Sequence, residues 1–240
     1  MLSASIKAST GATKAVGAGR LSHFQLRRQR GVSAHAAQEV TGMVFQPFSE
    51  VQGELSTVTQ APVTDSYARV EYHIECEAAI NEQINIEYTI SYVYHALHSY
   101  FARDNVGLPG FAKFFKEASD EEREHAHMLM DYQTKRGGRV ELKPLAAPEM
   151  EFANDDKGEA LYAMELALSL EKLNFQKLQA LQAIADKHKD AALCDFVEGG
   201  LLSEQVDAVK EHAVYVSQLR RVGKGVGVYL LDQELGEEEA

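Results

Sequence analysis

The sequence predicts an all-α fold, a four-helix bundle with one long crossover connection and a short fifth helix at its C-terminal end. Three observations carry this. Four long stretches, at about 72–103, 109–136, 158–188 and 191–222, show helical periodicity and carry no proline in their interiors. Two of the breaks between them, "DNVGLPG" and "KHKD", are short, which makes the first and second stretches an antiparallel pair and the third and fourth another. The remaining break, "RGGRVELKPLAAPEMEFANDDKG", is long enough to run the length of a bundle. After the fourth stretch the glycines of "VGKGVGVY" separate a short apolar helix at about 226–235.

Upstream the texture differs. Residues 1–38 carry Lys7, Lys14, Arg20, Arg27, Arg28 and Arg30 and no acid, the first being Glu39. The arm is rich in Ser and Ala and lacks a compact apolar segment. It therefore reads as an organelle transit peptide rather than a secretory signal; the other reading is a basic arm for nucleic acid or membrane. Its removal takes the formal net charge from −12 to −18, because six cations leave. Such a surface repels nucleic acid and attracts cations. Residues 39–70 are mixed, with a short helix expected near 48–55 and an extended piece at Ala61-Pro62. No apolar run approaches a membrane span, and two cysteines, Cys76 and Cys194, cannot make a disulfide framework.

Each long helix has a heptad-spaced stripe that should face the bundle core. Along 111, 115, 118, 122, 125, 129 and 132 stand Phe, Phe, Ala, Glu, His, Leu and Tyr, so Glu122 and His125 interrupt an apolar face. The third helix carries Met164, Leu168, Glu171, Phe175 and Leu178. The fourth carries Leu202, Gln205, Val209, His212, Val216 and Leu219. The first carries Ile80, Ile84, Glu87, Ser91, Tyr94, His98 and Phe101. Every helix thus places a polar group near the middle of its inward stripe, and three of these are carboxylates.

An unpaired buried ion costs several kcal/mol even after relaxation. Three carboxylates at one level, with no Lys or Arg on the same stripes, require cations, and a pair of metal ions that carboxylates can bridge is the natural partner. Glu122-x-x-His125 is the i,i+3 pair that di-iron and di-manganese bundles use. Where such sites often repeat the pair, Gln205 is followed three residues on by Ala208. The second ion would have fewer and weaker ligands, which suits iron that arrives, reacts and leaves. Glu124-x-x-His127 has the same spacing, but lies about 200° round the helix from Glu122 and faces elsewhere. Tyr94 is either core or a hydrogen-bond partner of a ligand, while His98 and His212 read as core or interface histidines.

The segments "EAAINEQINIEYTISYVYHAL", "FAKFFKEASDEEREHAHMLMDYQTKRGGRV", "DKGEALYAMELALSLEK", "LCDFVEGGLLSEQV" and "QLRRVGKGVGVYLLDQ" resemble the ferritins, over about 72–235. The preceding "VFQPFSEVQGEL" looks like the extension segment of the plastid ferritins of plants and algae, which agrees with the transit-like arm. The resemblance implies three parts, a transit peptide over 1–38, an extension segment over 39–70 and a ferritin-like domain over 71–240. It implies a plastid location and a homo-oligomeric shell of 24 subunits that oxidises Fe(II) with dioxygen and stores ferric mineral. Iron is the only metal expected, with no haem and no nucleic-acid or membrane partner.

By position, the resemblance implies that Glu87, Glu122 and His125 hold the first iron, with Glu122 bridging. Glu171 and Gln205 serve the second, with Glu121 close by, and Tyr94 matches the tyrosine beside the family's centre. Asp195 and Glu198 match the acids of a three-fold inlet channel, and the short last helix matches the one lining the four-fold axis. The sequence also departs from the family. In a cavity-facing Glu-x-x-Glu-x-x-Glu series, Glu121 and Glu124 are followed by His127. The channel glutamate is followed by two glycines, and the last helix has no histidine to line a pore. Two rival functions are weighed. A non-catalytic storage subunit would lack Glu87, Glu122, His125 and Glu171, and a di-iron oxidase of organic substrates would prefer a second Glu-x-x-His pair.

Overall fold

The structure, a computed structural model, describes residues 65–237. The helix expected near 48–55, the extended piece at Ala61-Pro62 and the whole basic arm lie outside the described residues. The helices are α1 (Ile74–Phe101), α2 (Pro109–Lys135), α3 (Glu159–Lys187), α4 (Ala191–Phe196), α5 (Ser203–Val222) and α6 (Val226–Glu237). Among the described residues no strand occurs, and no helix is long and apolar enough to cross a membrane.

Side-chain contacts fix the directions. Tyr72, just before α1, bonds Gln133 near the end of α2, whereas His98 near the end of α1 meets Ala112 at the start of α2. The pair is therefore antiparallel. Lys187 at the end of α3 reaches Glu75 at the start of α1, and Tyr94 reaches Glu171. So α2 and α3 end at the same end of the bundle, and residues 136–158 must travel its full length. The crossover is fastened at both ends. Asn81 accepts from the Glu141 backbone and donates to the Arg139 carbonyl (3.0 and 2.9 Å) at one end. At the other, Arg103 grips Glu151 through two bonds of 2.8 Å, and Phe152 is buried edge-on against Tyr100.

The fourth rod departs from the sequence reading of one uniform helix over 191–222. Between α4 and α5 the chain runs through a π-helical stretch, Val197–Leu202, without leaving helical backbone angles at its junctions. From one side of this stretch to the other, the buried positions are Leu193, Val197, Leu201 and Gln205, four residues apart each time. An ordinary α-helix would drift that face by about 40° per step, and the wider π turn absorbs the drift. Gly199 and Gly200 lie in this stretch, where a weak helix former loosens the turn. Leu202, expected on the inward stripe, is accordingly only half-buried, and Leu201 takes its place.

The core comes in two apolar halves. One holds Leu97, Phe101, Phe111, Phe115, Met164 and Leu219 with Leu231 and Leu235 of α6. The other, at the beginning of α1, holds Tyr72, Ile80, Ile84, Leu129, Leu178, Leu193 and Leu201. Between them lies a layer of buried polar side chains. Docking of α6 is specific: α2 has no side-chain cap of its own, and Asp232 of α6, 1% exposed, accepts from the Phe111 backbone N–H (3.1 Å). A carboxylate at a helix N-terminus both satisfies an orphan donor and meets the positive end of the helix dipole.

Candidate metal centre

The polar layer sits where the four inward stripes predicted it. Glu87, Glu122, Glu171 and Gln205 are buried, at 0, 4, 3 and 4% exposure, and no lysine or arginine is buried among the described residues. Ligand atoms of Glu87, Glu122 and His125 all lie within 4.8 Å of one another. His125 Nδ1 is 3.5 Å from Glu122 Oε2, while its Nε2 is 3.2 Å from Glu204 Oε2. On the other side of the layer Tyr94 donates its hydroxyl to Glu171 Oε1, and Gln205 Nε2 donates to Glu171 Oε2.

Three side chains unmarked by the stripe reading complete the layer. Asn174 Nδ2 donates both to Glu87 Oε2 (2.9 Å) and to Gln205 Oε1 (3.1 Å). Gln83 Nε2 donates to Glu87 Oε1 (2.6 Å) and to Asn174 Oδ1 (2.7 Å). The two amides thus hold both oxygens of Glu87 and tie the α1 side of the layer to Gln205. A signal existed: Gln83 is one turn before Glu87 and Asn174 one turn after Glu171, on the same faces. The third is Glu204, which is exposed and had no periodic signature. Asn174→Leu keeps the bulk but leaves Glu87 and Gln205 each short of a donor. Iron oxidation by that variant should slow by roughly tenfold, as losses behind metal ligands do. An unchanged stopped-flow rate in a normally folded N174L protein would remove Asn174 from the centre.

Electrostatics make the layer a cation site. Burial pushes the Glu87 carboxyl well above its usual range, and the neighbouring Glu122 carboxylate adds to the shift. Glu122 is likewise raised, by burial first and then by the charges of Glu171 and Glu121, while its hydrogen bond with Glu87 opposes the rise. Two carboxyls at this distance keep a proton that water alone would have removed, and an arriving cation displaces it. Burial and the adjacent Glu171 charge raise Tyr94 well above its ordinary value, so it stays a neutral donor.

An open cavity of about 430 Å³ reaches the layer between α2 and α5. Glu122, His125, Glu171 and Gln205 lie on it at depth, and the exposed carboxylates of Glu117, Glu121, Glu204, Asp207 and Glu211 surround them. Glu121 sits at the rim with its carboxyl drawn partly out of water, which raises its pKa against the lowering effect of His125. Other predicted residues lie away from the layer. Asp195 and Glu198 are exposed at the start of the fourth rod, Glu198 accepting from Gln182 (2.7 Å). Glu124 and His127 are exposed on another face, with His127 edge-on to Tyr88. His98 and His212 each spend Nδ1 on a backbone carbonyl, of Ala112 and Ala208.

The ferritin-like domain family matches this chain over residues 77–222, which takes in nearly all of the four rods and every residue of the layer. The chain belongs to the ferritin family. Relatives span nearly its whole length. It is 56% identical to the chloroplastic ferritin-3 of Arabidopsis thaliana over 212 residues, covering 88% of this chain and 81% of that one. It is 58% identical to the chloroplastic ferritin-3 of Glycine max over 200 residues, covering 83% and 78%. The chloroplastic ferritin-2 of Zea mays is 54% identical over 221 residues, covering 89% and 87%. As a ferritin the chain is a plastid iron-storage protein with ferroxidase activity, and the family's multimeric shells set its form of assembly.

Proposed function

We propose that this ferritin oxidises Fe(II) with dioxygen at a di-iron centre inside each subunit and stores the product as ferric mineral within a 24-subunit shell. The observation that carries the reading is the buried layer itself, three carboxylates beside an imidazole, of which Glu122, Glu171 and His125 face one cavity, with no buried lysine or arginine among the described residues to neutralise them. Glu87, Glu122 and His125 take the first ferrous ion, with Glu122 bridging, and Glu171 and Gln205 take the second with Glu121 beside them. Gln205 is a neutral ligand, so the second position holds its ion less tightly. Each iron gives up one electron, and the pair together reduces dioxygen to hydrogen peroxide as two protons are taken up. Tyr94 fixes the orientation of Glu171, and Gln83 with Asn174 fixes that of Glu87. Asp195 and Glu198 form the inlet for Fe(II), and the oxidised product leaves past Glu121, Glu124 and His127. Residues 1–38 direct the chain to the plastid and are removed, 39–70 form an extension segment, and 71–240 form the storage domain.

Stopped-flow mixing of the assembled protein with Fe(II) and dioxygen tests the centre. The fast phase should saturate at two iron atoms per subunit, with the mass of the assembly measured in the same preparation. A fast phase that saturates at one iron, or its absence from an intact shell, would overturn the di-iron assignment.

A further inference from the structure

At the end of the bundle where α1 begins and α3 ends, two distant segments bring together two imidazoles and a carboxylate. His73 is the N-cap of α1, Glu75 lies in its first turn, and His188 is the C-cap of α3. Ligand atoms of the three lie within 4.8 Å of one another. The rings of His73 and His188 are stacked, with centroids 3.6 Å apart and planes 15° from parallel. His188 Nε2 lies 3.0 Å from Glu75 Oε2. His73 and Glu75 are exposed, so burial of apolar surface does not account for the cluster.

The scaffold under it is firm. After His188 the chain turns through Lys189 at φ +55°, with the Asp190 N–H returning to the Ala185 carbonyl. Asp190 is then clamped by two 2.8 Å bonds from Arg136. The His188 ring is therefore carried on a fixed helix end, and His73 on the start of a long helix.

We propose that His73, Glu75 and His188 form a second metal site, exposed and exchangeable, for a divalent first-row transition ion such as Zn²⁺ or Fe²⁺. Two imidazole nitrogens and one carboxylate suit these ions, whereas Ca²⁺ and Mg²⁺ call for oxygen ligands. Three protein ligands leave coordination positions to water, so the ion comes and goes more readily than from a closed four-ligand site. Within the cluster each ligand already makes a contact that a bound ion would replace. His73 Nδ1 accepts from the Glu75 backbone N–H (3.1 Å), and the Lys187 ammonium lies against Glu75 Oε2. Lys187 therefore competes with the metal for the carboxylate. The site shares no residue with the layer in the bundle, and its occupancy does not depend on the function proposed above.

Zn²⁺ soaked into crystals of the assembled protein, with anomalous maps at the zinc edge, tests the site directly. A peak is expected within coordination distance of all three side chains, and His188→Asn should abolish it while leaving any peak in the bundle. In calorimetric Zn²⁺ titrations of the full chain, H188N should lose one class of sites. Lys187→Ala should tighten that class by roughly threefold or more, since a competing positive charge is gone. No peak at the cluster in crystals whose bundle layer is occupied would overturn the proposal. So would superimposable titrations of wild-type and H188N protein, or binding that K187A leaves unchanged or weakens.

Discussion

Replacing Glu122 and His125 with alanine is expected to abolish rapid iron oxidation in a protein that still folds and assembles. With Glu87 the two side chains form a group whose ligand atoms all lie within 4.8 Å of one another. Removing residues behind a metal already costs ten- to a hundredfold; removing two of the proposed ligands themselves should slow the fast phase by at least about a hundredfold. Stability should respond far less. Glu122 is a carboxyl in a crowd of carboxyls, raised by burial and by the charges of Glu171 and Glu121. Its loss removes an unfavourable charge along with some packing, two effects of opposite sign. Stopped-flow oxidation, thermal melting and assembly mass on the same sample separate the outcomes. Wild-type oxidation rates in the double variant would sink the site assignment.

Gly110→Ala is expected to detach α6. A Cβ on Gly110 would stand 1.7 Å from the Asp232 carbonyl oxygen, and no rotamer change relieves a collision with backbone. The helix must move off. With it go the Asp232 cap on the Phe111 N–H and the burial of Leu231 and Leu235. Each buried leucine contributes about 1.5–3 kcal/mol and the buried cap about 1–3 kcal/mol, so the loss should be several kcal/mol. Hydrogen exchange should show α6 amides unprotected while α1 and α3 stay protected. A G110A protein with wild-type melting and a protected α6 would contradict this docking.

Much of this was legible in the sequence because helices report themselves locally. The first stretch, expected at 72–103, is Ile74–Phe101, and the third, expected at 158–188, is Glu159–Lys187. The stripes located Glu87, Glu122, Glu171 and Gln205 because periodicity alone decides which side of a helix faces its neighbours. What stayed hidden depended on tertiary partners. A heptad template selects Phe175, yet Phe175 is half-buried and Asn174 is fully buried. Both lie on the inward side of α3, and Gln83 and Glu87 across the bundle decide between them. Asp232 as the cap of α2 could not be foreseen from residues 121 positions away in the chain. Glu204 was invisible for the opposite reason. It is exposed like any surface glutamate, and only the distance to His125 sets it apart.

The π-helical stretch at Val197–Leu202 has a consequence for how the fourth rod tolerates change. It works as a gear between two ends of one rod, with Asp195 indexed on one side and Gln205 on the other. Losing a single residue from the stretch would restore an ordinary α-helix with no visible break. Leu193 and Val197 would then keep their phase to within about 20° of Gln205, because the π turn already absorbs that one extra residue. The opposite change is the harmful one. If the stretch kept its residue but straightened into an α-helix, Leu193 would swing about 120° away from the face of Gln205. The acids at the mouth of the rod and the amide at its centre stay aligned while the extra residue and the wide turn are kept or lost together.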